Sequence, residues 1–193
     1  MARPRSFDEE AALTGAMRVF RRLGFAATSI RDLEQATALS AGSIYNSFGD
    51  KGGLFDAAFA HYLAVVLRGR LKTYAVESDG LEGVRALFIS LLEEPDGKQY
   101  GCLITNSAIE FGVGDEARQR AVTSGFEILR TALLDRLSAA RDSGLLRKDV
   151  APALAAVKLV ALYQGVLVLV RAGYKKRSVR QAIELEFDML VSR

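Results

Sequence analysis

Between Ser40 and Gly49 the chain carries Gly42, Ser43, Tyr45, Asn46 and Ser47 around two apolar residues, Ile44 and Phe48. Ile44 and Phe48 are four apart, the spacing of one helix face, so the small residues, hydroxyls, phenol and amide turn towards solvent. A short helix presenting such groups, with no aliphatic side chain among them, has the surface needed to read base edges in a major groove. Other chemistries lack their parts. The sequence holds no Ser-His-Asp order, glycine-rich phosphate loop, metal cluster or nucleotide fingerprint. Its one histidine, His61, has no second histidine or cysteine at ligand spacing, so it reads as a helix-surface residue. No catalytic residue, metal or other cofactor is expected.

Several signals place the elements that position this helix. Thr28 or Ser29 caps a preceding helix, Asp32 follows Ser29 by three as in a capping box, and Ile30, Leu33 and Ala36 share one face. A turn at Ala38 and Leu39 leads to Ser40, which starts the second helix. Upstream, Ser6 with Glu9 forms a capping box, and Ala12, Leu13, Ala16, Met17, Phe20 and Leu23 make one stripe closed by Gly24. Arg3 and Arg5 before it form either a basic arm towards DNA or a disordered terminus. Downstream, Asp50 caps a long helix in which Leu54, Phe55, Ala58, Phe59 and Tyr62 lead on to Leu67 and Leu71.

Gly24-Phe25, Thr28-Ser29-Ile30, Leu33, Leu39-Ser40, Gly42, Ile44-Tyr45, Phe48, Asp50-Lys51, Leu54 and Phe55 together closely resemble the helix-turn-helix of the TetR family of bacterial transcriptional regulators. The resemblance covers about the first third of the chain. It implies an all-α fold of about nine helices. Residues 1–52 would form a three-helix DNA-binding domain with its motif near 29–48, and residues 53–193 a ligand-binding and dimerisation domain. It places Thr28, Ser29, Arg31, Ser40, Gly42, Ser43, Tyr45, Asn46 and Lys51 at the DNA, with Tyr45 and Lys51 on phosphates and Ser43 and Asn46 near base edges. Two positions depart from the pattern. Glu34 adds an acid, and Gly52-Gly53 replaces better helix formers after Lys51.

Composition bounds the rest. Half of the 193 residues are apolar, enough for a globular core, and the net charge is only +3. Residues 1–54 carry seven bases against six acids, so charge alone does not point to DNA. A single cysteine, Cys102, precludes an internal disulfide and fits a reducing compartment. The two arginines are followed directly by Asp8, Glu9 and Glu10, which leaves no secretory h-region. The run from Leu159 to Val170 is shorter than the about 20 residues a bilayer span needs. A cytoplasmic protein without membrane contact is expected.

Ser78-Asp79-Gly80 and Glu94-Pro95-Asp96-Gly97 bracket a helix bearing Leu81, Val84, Leu87, Phe88, Leu91 and Leu92. Tyr100 to Phe111 resembles the Gly-Cys-Leu, Asn and Ala-x-Glu pattern of one branch of TetR-like regulators, where it forms a helix beside the effector pocket. Asp115 opens a long helix to Gly144, and Pro152 suits the first turn of another. The resemblance then implies a pocket lined by Phe88, Leu92, Cys102, Asn106, Glu110, Phe126, Tyr163, Gln164 and Leu167. Most of these are apolar, so a hydrophobic or aromatic effector fixed by a few hydrogen bonds is favoured. The segment Ala153–Ala172, apolar nearly all round, and residues 178–191 would form the homodimer interface through Val157, Val160, Val168, Ile183 and Phe187, with Leu167 also in the patch. The expected function is a homodimeric repressor of a near-palindromic DNA operator, released by a small-molecule effector. Two alternatives stand beside it: a sensor in which the Cys102 thiol meets oxidants or electrophiles, and a helical protein-interaction domain.

Overall fold

The computed structural model describes residues 7–76, 80–93, 101–111 and 114–191. Among these, nine helices follow in order: α1 (Glu9–Leu23), α2 (Ile30–Thr37), α3 (Ala41–Phe48), α4, α5 (Gly80–Ser90), α6 (Leu103–Phe111), α7 (Glu116–Asp142), α8 (Pro152–Arg171) and α9 (Lys176–Leu190). Here α4 is the continuous rod made of Lys51–Tyr62, Leu63–Leu67, Arg68–Arg70 and Leu71–Val76. An isolated bridge between Leu146 and Val191 is the strand-like pairing among the described residues.

Side-chain caps set several of the starts. The Ser29 hydroxyl accepts the Asp32 N–H at 3.2 Å while the Asp32 carboxylate accepts the Ser29 N–H at 2.9 Å, so the expected capping box is complete. Ser40, Asp50 and Asp115 cap α3, α4 and α7 in the same sense. For α1 the cap is Asp8, which accepts from the Ala11 N–H at 3.0 Å. Ser6, expected in that role, lies outside the described residues, as do Arg3, Arg5, Ser78, Asp79, Tyr100 and residues 94–97.

The apolar spacing along α4 explains its irregular winding. Ala58, Phe59 and Tyr62 are buried, and so are Leu67, Leu71 and Ala75, but Tyr62 and Leu67 are five positions apart. In an α-helix a five-residue step turns the side chain well off the buried face. The stretch Leu63–Leu67 is π-helical, with the Arg68 N–H donating to the Leu63 carbonyl, and this wider turn keeps both residues in the core. A second π-helical stretch, Leu71–Val76, ends the rod.

Both glycines that depart from the family pattern sit at close approaches, Gly53 against backbone and Gly52 against the tip of a side chain. A Cβ at Gly53 would overlap the Phe48 carbonyl oxygen, where the α3–α4 corner folds back, and one at Gly52 would lie 2.5 Å from the Arg118 guanidinium. Helix propensity is given up there for packing.

The C-terminal helices correct one expectation. Ile183 and Phe187, placed on the dimer face from sequence, are wholly buried inside the chain's own bundle, and Phe187 meets Phe88 edge-on at 5.3 Å. Leu167 is likewise buried. The outward residues are instead Leu154, Val157, Val168 and Leu169 on α8, with Leu185 and Met189 on α9. Val160 lies between, partly buried against the core. The α8 helix has 20 residues, and an 18-residue stretch of it has a mean hydropathy of 2.1, so by length and composition alone it could cross a bilayer, a measure that a buried core helix also meets. Its inner face, including Ala156, Leu159, Tyr163 and Val166, is packed into the bundle.

The two kinds of glycine separate in stability. Gly53→Ala is expected to lower unfolding free energy by about 1–3 kcal/mol through overpacking. Gly69→Ala, where a Cβ meets nothing within 4 Å, is expected to raise it by about 0.5–1 kcal/mol. Urea titration of both variants against the unmodified chain reads the opposite signs.

Candidate nucleic-acid interface and its link to the core

The outer face of α3 is built as the spacing requires. Ile44 is wholly buried beneath it and Phe48 packs partly on the core, its ring 6.4 Å from that of Phe7. Gly42, Tyr45 and Asn46 are exposed and Ser43 is half-buried. Tyr45 keeps 49% of its surface in solvent, which an aromatic serving only the core would not. Ser40 and Ser43 hydroxyls lie 3.0 Å apart at the start of the helix. Arg31 on α2 and Ser29 at its cap are exposed next to this face.

The remaining expected DNA residues hold the loop beneath. Lys51 donates from Nζ to the carbonyls of Phe25 and Thr28, both at 3.0 Å, and its ammonium sits 4.5 Å from the Phe25 ring centre. An ammonium has three donors, so one remains for a phosphate. Thr28 is buried, its hydroxyl donating to the Gly24 carbonyl. Glu34 resolves the other departure from the family pattern: its carboxylate accepts the Ala41 N–H at 2.7 Å, satisfying a first-turn donor of α3. His61 bridges inward, its Nε2 2.9 Å from the Thr14 hydroxyl.

From this loop a chain of contacts runs into the core. Glu110 of α6 accepts the N–H groups of Phe25 and Ala26 at 2.7 and 2.5 Å. Arg21, buried on α1, donates twice to the Gly101 carbonyl, and the Asn106 amide donates to the Arg21 carbonyl at 3.0 Å. Phe20, Phe25, Phe55 and Phe111 form an aromatic cluster with ring centres 5.0–6.2 Å apart. The Arg118 guanidinium covers it, 4.9 Å from Phe25 and 5.2 Å from Phe111.

Comparison with known proteins decides the family. Residues 12–58 match the model for bacterial regulatory proteins of the tetR family, and residues 79–185, more than half of the chain, match that for the tetracyclin repressor-like C-terminal domain. The chain belongs to the TetR family. It is therefore a DNA-binding transcriptional regulator and not an enzyme. The HTH-type transcriptional repressor DhaR of Mycobacterium sp. (strain GP1) is 24% identical over 176 residues, 90% of this chain and 87% of DhaR. The HTH-type transcriptional repressor ComR of Escherichia coli (strain K12) is 44% identical over 61 residues, 32% of this chain and 29% of ComR. A cysteine mutant of the TetR family regulator CifR, complexed with 26-bp double-strand operator DNA, superposes with a TM-score of 0.85 and 26% identity over 98% of this chain and 100% of that one.

In this TetR-family chain the residues expected around an effector are largely committed elsewhere. Phe88 and Leu92 are buried to 1% or less, and Phe88 meets Tyr163 edge-on at 5.5 Å, so no water-sized space adjoins Phe88. Asn106 accepts from Arg171 at 2.8 Å and, with Glu110, faces the α1 junction. Phe126 packs partly on the core. Gln164 accepts from the Thr105 hydroxyl at 2.5 Å, and its Nε2 is buried without a partner among the described residues. Cys102 is buried beside Tyr62, whose hydroxyl donates to Sγ at 3.5 Å. Burial, and then the neighbouring Cys102, push the Tyr62 phenol well above its usual range, so it stays a protonated donor. From sequence alone Arg21, Glu34 and Arg118 have no role, because the Gly101, Ala41 and Asp56 groups they meet lie on other elements.

The capping box carries a pH signature. The hydroxyl and then the N–H of Ser29 hold the Asp32 carboxyl below the ordinary 3.8. A depressed folded-state pKa gives stability that is full above the unfolded value and lost as pH falls through the folded one. Asp32→Asn should therefore be less stable than the unmodified chain at neutral pH, and urea titrations should show the difference closing as pH falls from 3.8 through the lower folded-state value. At fixed neutral pH, Lys51→Met should cost about 1–3 kcal/mol by leaving the Phe25 and Thr28 carbonyls without their charged donor.

Proposed function

We propose that this chain is a homodimeric repressor that reads a near-palindromic operator through α3 and releases it when a small molecule binds the C-terminal domain, acting in the cytoplasm. The outward face of α3 carries the reading: exposed Tyr45 and Asn46, half-buried Ser43 and no aliphatic side chain. Ser43 and Asn46 approach base edges, while Tyr45 and the third donor of Lys51 meet phosphates, with Thr28, Ser29, Arg31, Ser40 and Gly42 framing the contact. The operator-bound CifR structure, alike over nearly the whole chain, supports the DNA partner, and the names of DhaR and ComR support repression.

The exposure of six large apolar side chains on the two C-terminal helices, Leu154, Val157, Val168, Leu169, Leu185 and Met189, supports the dimer, since an interface would cover them. Two α3 helices reach successive major grooves only when held about 34–36 Å apart, so a ligand that shifts the heads by a few ångströms abolishes the fit. A reversible ligand is favoured over thiol chemistry because Cys102 is only 4% exposed.

Selection from random DNA supplies the operator for the test. Asn46→Ala should cost about 1–3 kcal/mol and relax the preference at one base position, while Tyr45→Phe should weaken all sequences alike. Operator affinity unchanged in both variants would refute the assignment. Sedimentation should give a mass near twice 21.0 kDa, and Val157→Asp should halve it; a monomer in the unmodified chain refutes the dimer.

A further inference from the structure

A cleft of about 310 Å³ opens between α4 and α7, away from the residues expected to hold an effector. Its walls are apolar: Phe55, Phe59, Ala60 and Leu63 on α4 face Ala121 and Val122 on α7. At one end stand Arg118 and Asp56. The volume is at the lower end of small-molecule sites, the size for one or two rings. Leu63 opens the first π-helical stretch, and on the α7 side Gly125 lets Leu63 and Ile104 approach to about 3 Å of where a Cβ would stand.

The polar end already shows which group it holds. Arg118 donates from Nε to Asp56 Oδ1 at 2.9 Å and from Nη2 to Oδ2 at 3.4 Å, a two-point grip on a carboxylate, while Nη1 is kept by Asp115 at 2.6 Å. The Asp56 side chain is 58% exposed, so its pair with Arg118 adds little stability and exchanges readily. Asp115 stays in place because it also caps α7. A guanidinium fork matches a planar carboxylate, and the aromatic and aliphatic walls beside it match a ring.

We propose that this cleft binds a small aromatic carboxylate, whose carboxylate replaces Asp56 on Arg118, and that this ligand is the effector of the proposed repressor. The inference rests on that functional reading for its regulatory half. Arg118 is also the route to the DNA-binding head: it covers Phe25 and Phe111, and it fills the space that Gly52 leaves at the start of α4. A ligand carboxylate in place of Asp56 ends the α4–α7 ion pair that sets the guanidinium over the Phe25 ring, and the Phe25 N–H and carbonyl are bound to Glu110 and Lys51. The loop before α2 then loses its seat.

Calorimetric titration of the full chain with 1-naphthoate and with uncharged 1-naphthalenemethanol tests the binding half without DNA. The acid should bind about tenfold more tightly than the alcohol, the worth of a charge-assisted hydrogen bond. Ala60→Phe, at an exposed position, and Ala121→Leu on the opposite wall should each weaken naphthoate about tenfold or more by filling the cleft. Asp56→Asn should strengthen it about threefold by removing the competing carboxylate, an effect that a merely structural Asp56 would not produce. Equal affinity for acid and alcohol, no naphthoate binding, or full binding in both filled variants overturns the site. Saturating naphthoate should lower affinity for the selected operator in the unmodified chain and not in Ala60→Phe; naphthoate that binds without changing operator affinity overturns the effector role. Naphthoate binding by a chain that binds no operator refutes the repressor reading and leaves the cleft standing.

Discussion

A guanidinium with only 6% of its residue surface in solvent is costly unless every donor is used where it lies, and Arg21 is in that position. Its two bonds to the Gly101 carbonyl fix the last turn of α1 to the start of α6, and the Asn106 amide returns a bond to the Arg21 carbonyl. The Tyr62 ring lies 5.5 Å from the same guanidinium, so α4 joins the arrangement. Three helices are thereby held by one buried charge. The aromatic cluster and the Glu110 carboxylate then build outward from that fixed corner to the loop ahead of α2.

This makes the helix-turn-helix head and the C-terminal body mechanically continuous. α4 passes from one to the other without interruption, and α6 meets the head through side chains that carry charge. Charged hydrogen bonds of this kind are worth more than neutral ones and are sensitive to small displacements, since geometry decides their strength. A regulator needs such a link to be firm in one state and breakable in another. Glu110, exposed at its outer end, and Arg118, divided among two carboxylates and three rings, both meet that need.

How much of this was legible depends on the range of the interaction. Ser29, Ser40, Asp50 and Asp115 were readable as caps because a cap bonds to a residue three positions away. Ile44 and Phe48 identified the inner face of α3 for the same reason. The side assignments failed at Leu167 because the all-round apolar α8 offers no polar face by which to tell core from interface, and at Ile183 and Phe187 because the apolar stripe of α9 does not say whether it packs on its own bundle or on a partner. Glu110 and Asn106 were read as pocket residues, since their spacing along α6 says nothing of Phe25 or Arg21 more than eighty residues away. Glu34, a departure from the pattern, acquires its reason only once α2 and α3 are folded together.

The π-helical winding of α4 has a consequence for how such a chain tolerates change in length. Each residue added to or removed from an α-helix rotates everything beyond it by about 100°. Within Lys51–Tyr62 one deletion would therefore swing Phe55 away from the aromatic cluster or Phe59 away from the core. The stretch Leu63–Leu67 is wound i to i+5, so losing one residue there lets the backbone close to ordinary α-helix and keeps Tyr62 and Leu67 on one side. The rod contains a slack turn at which evolution can lengthen or shorten the connection between the two halves of the molecule without turning one against the other.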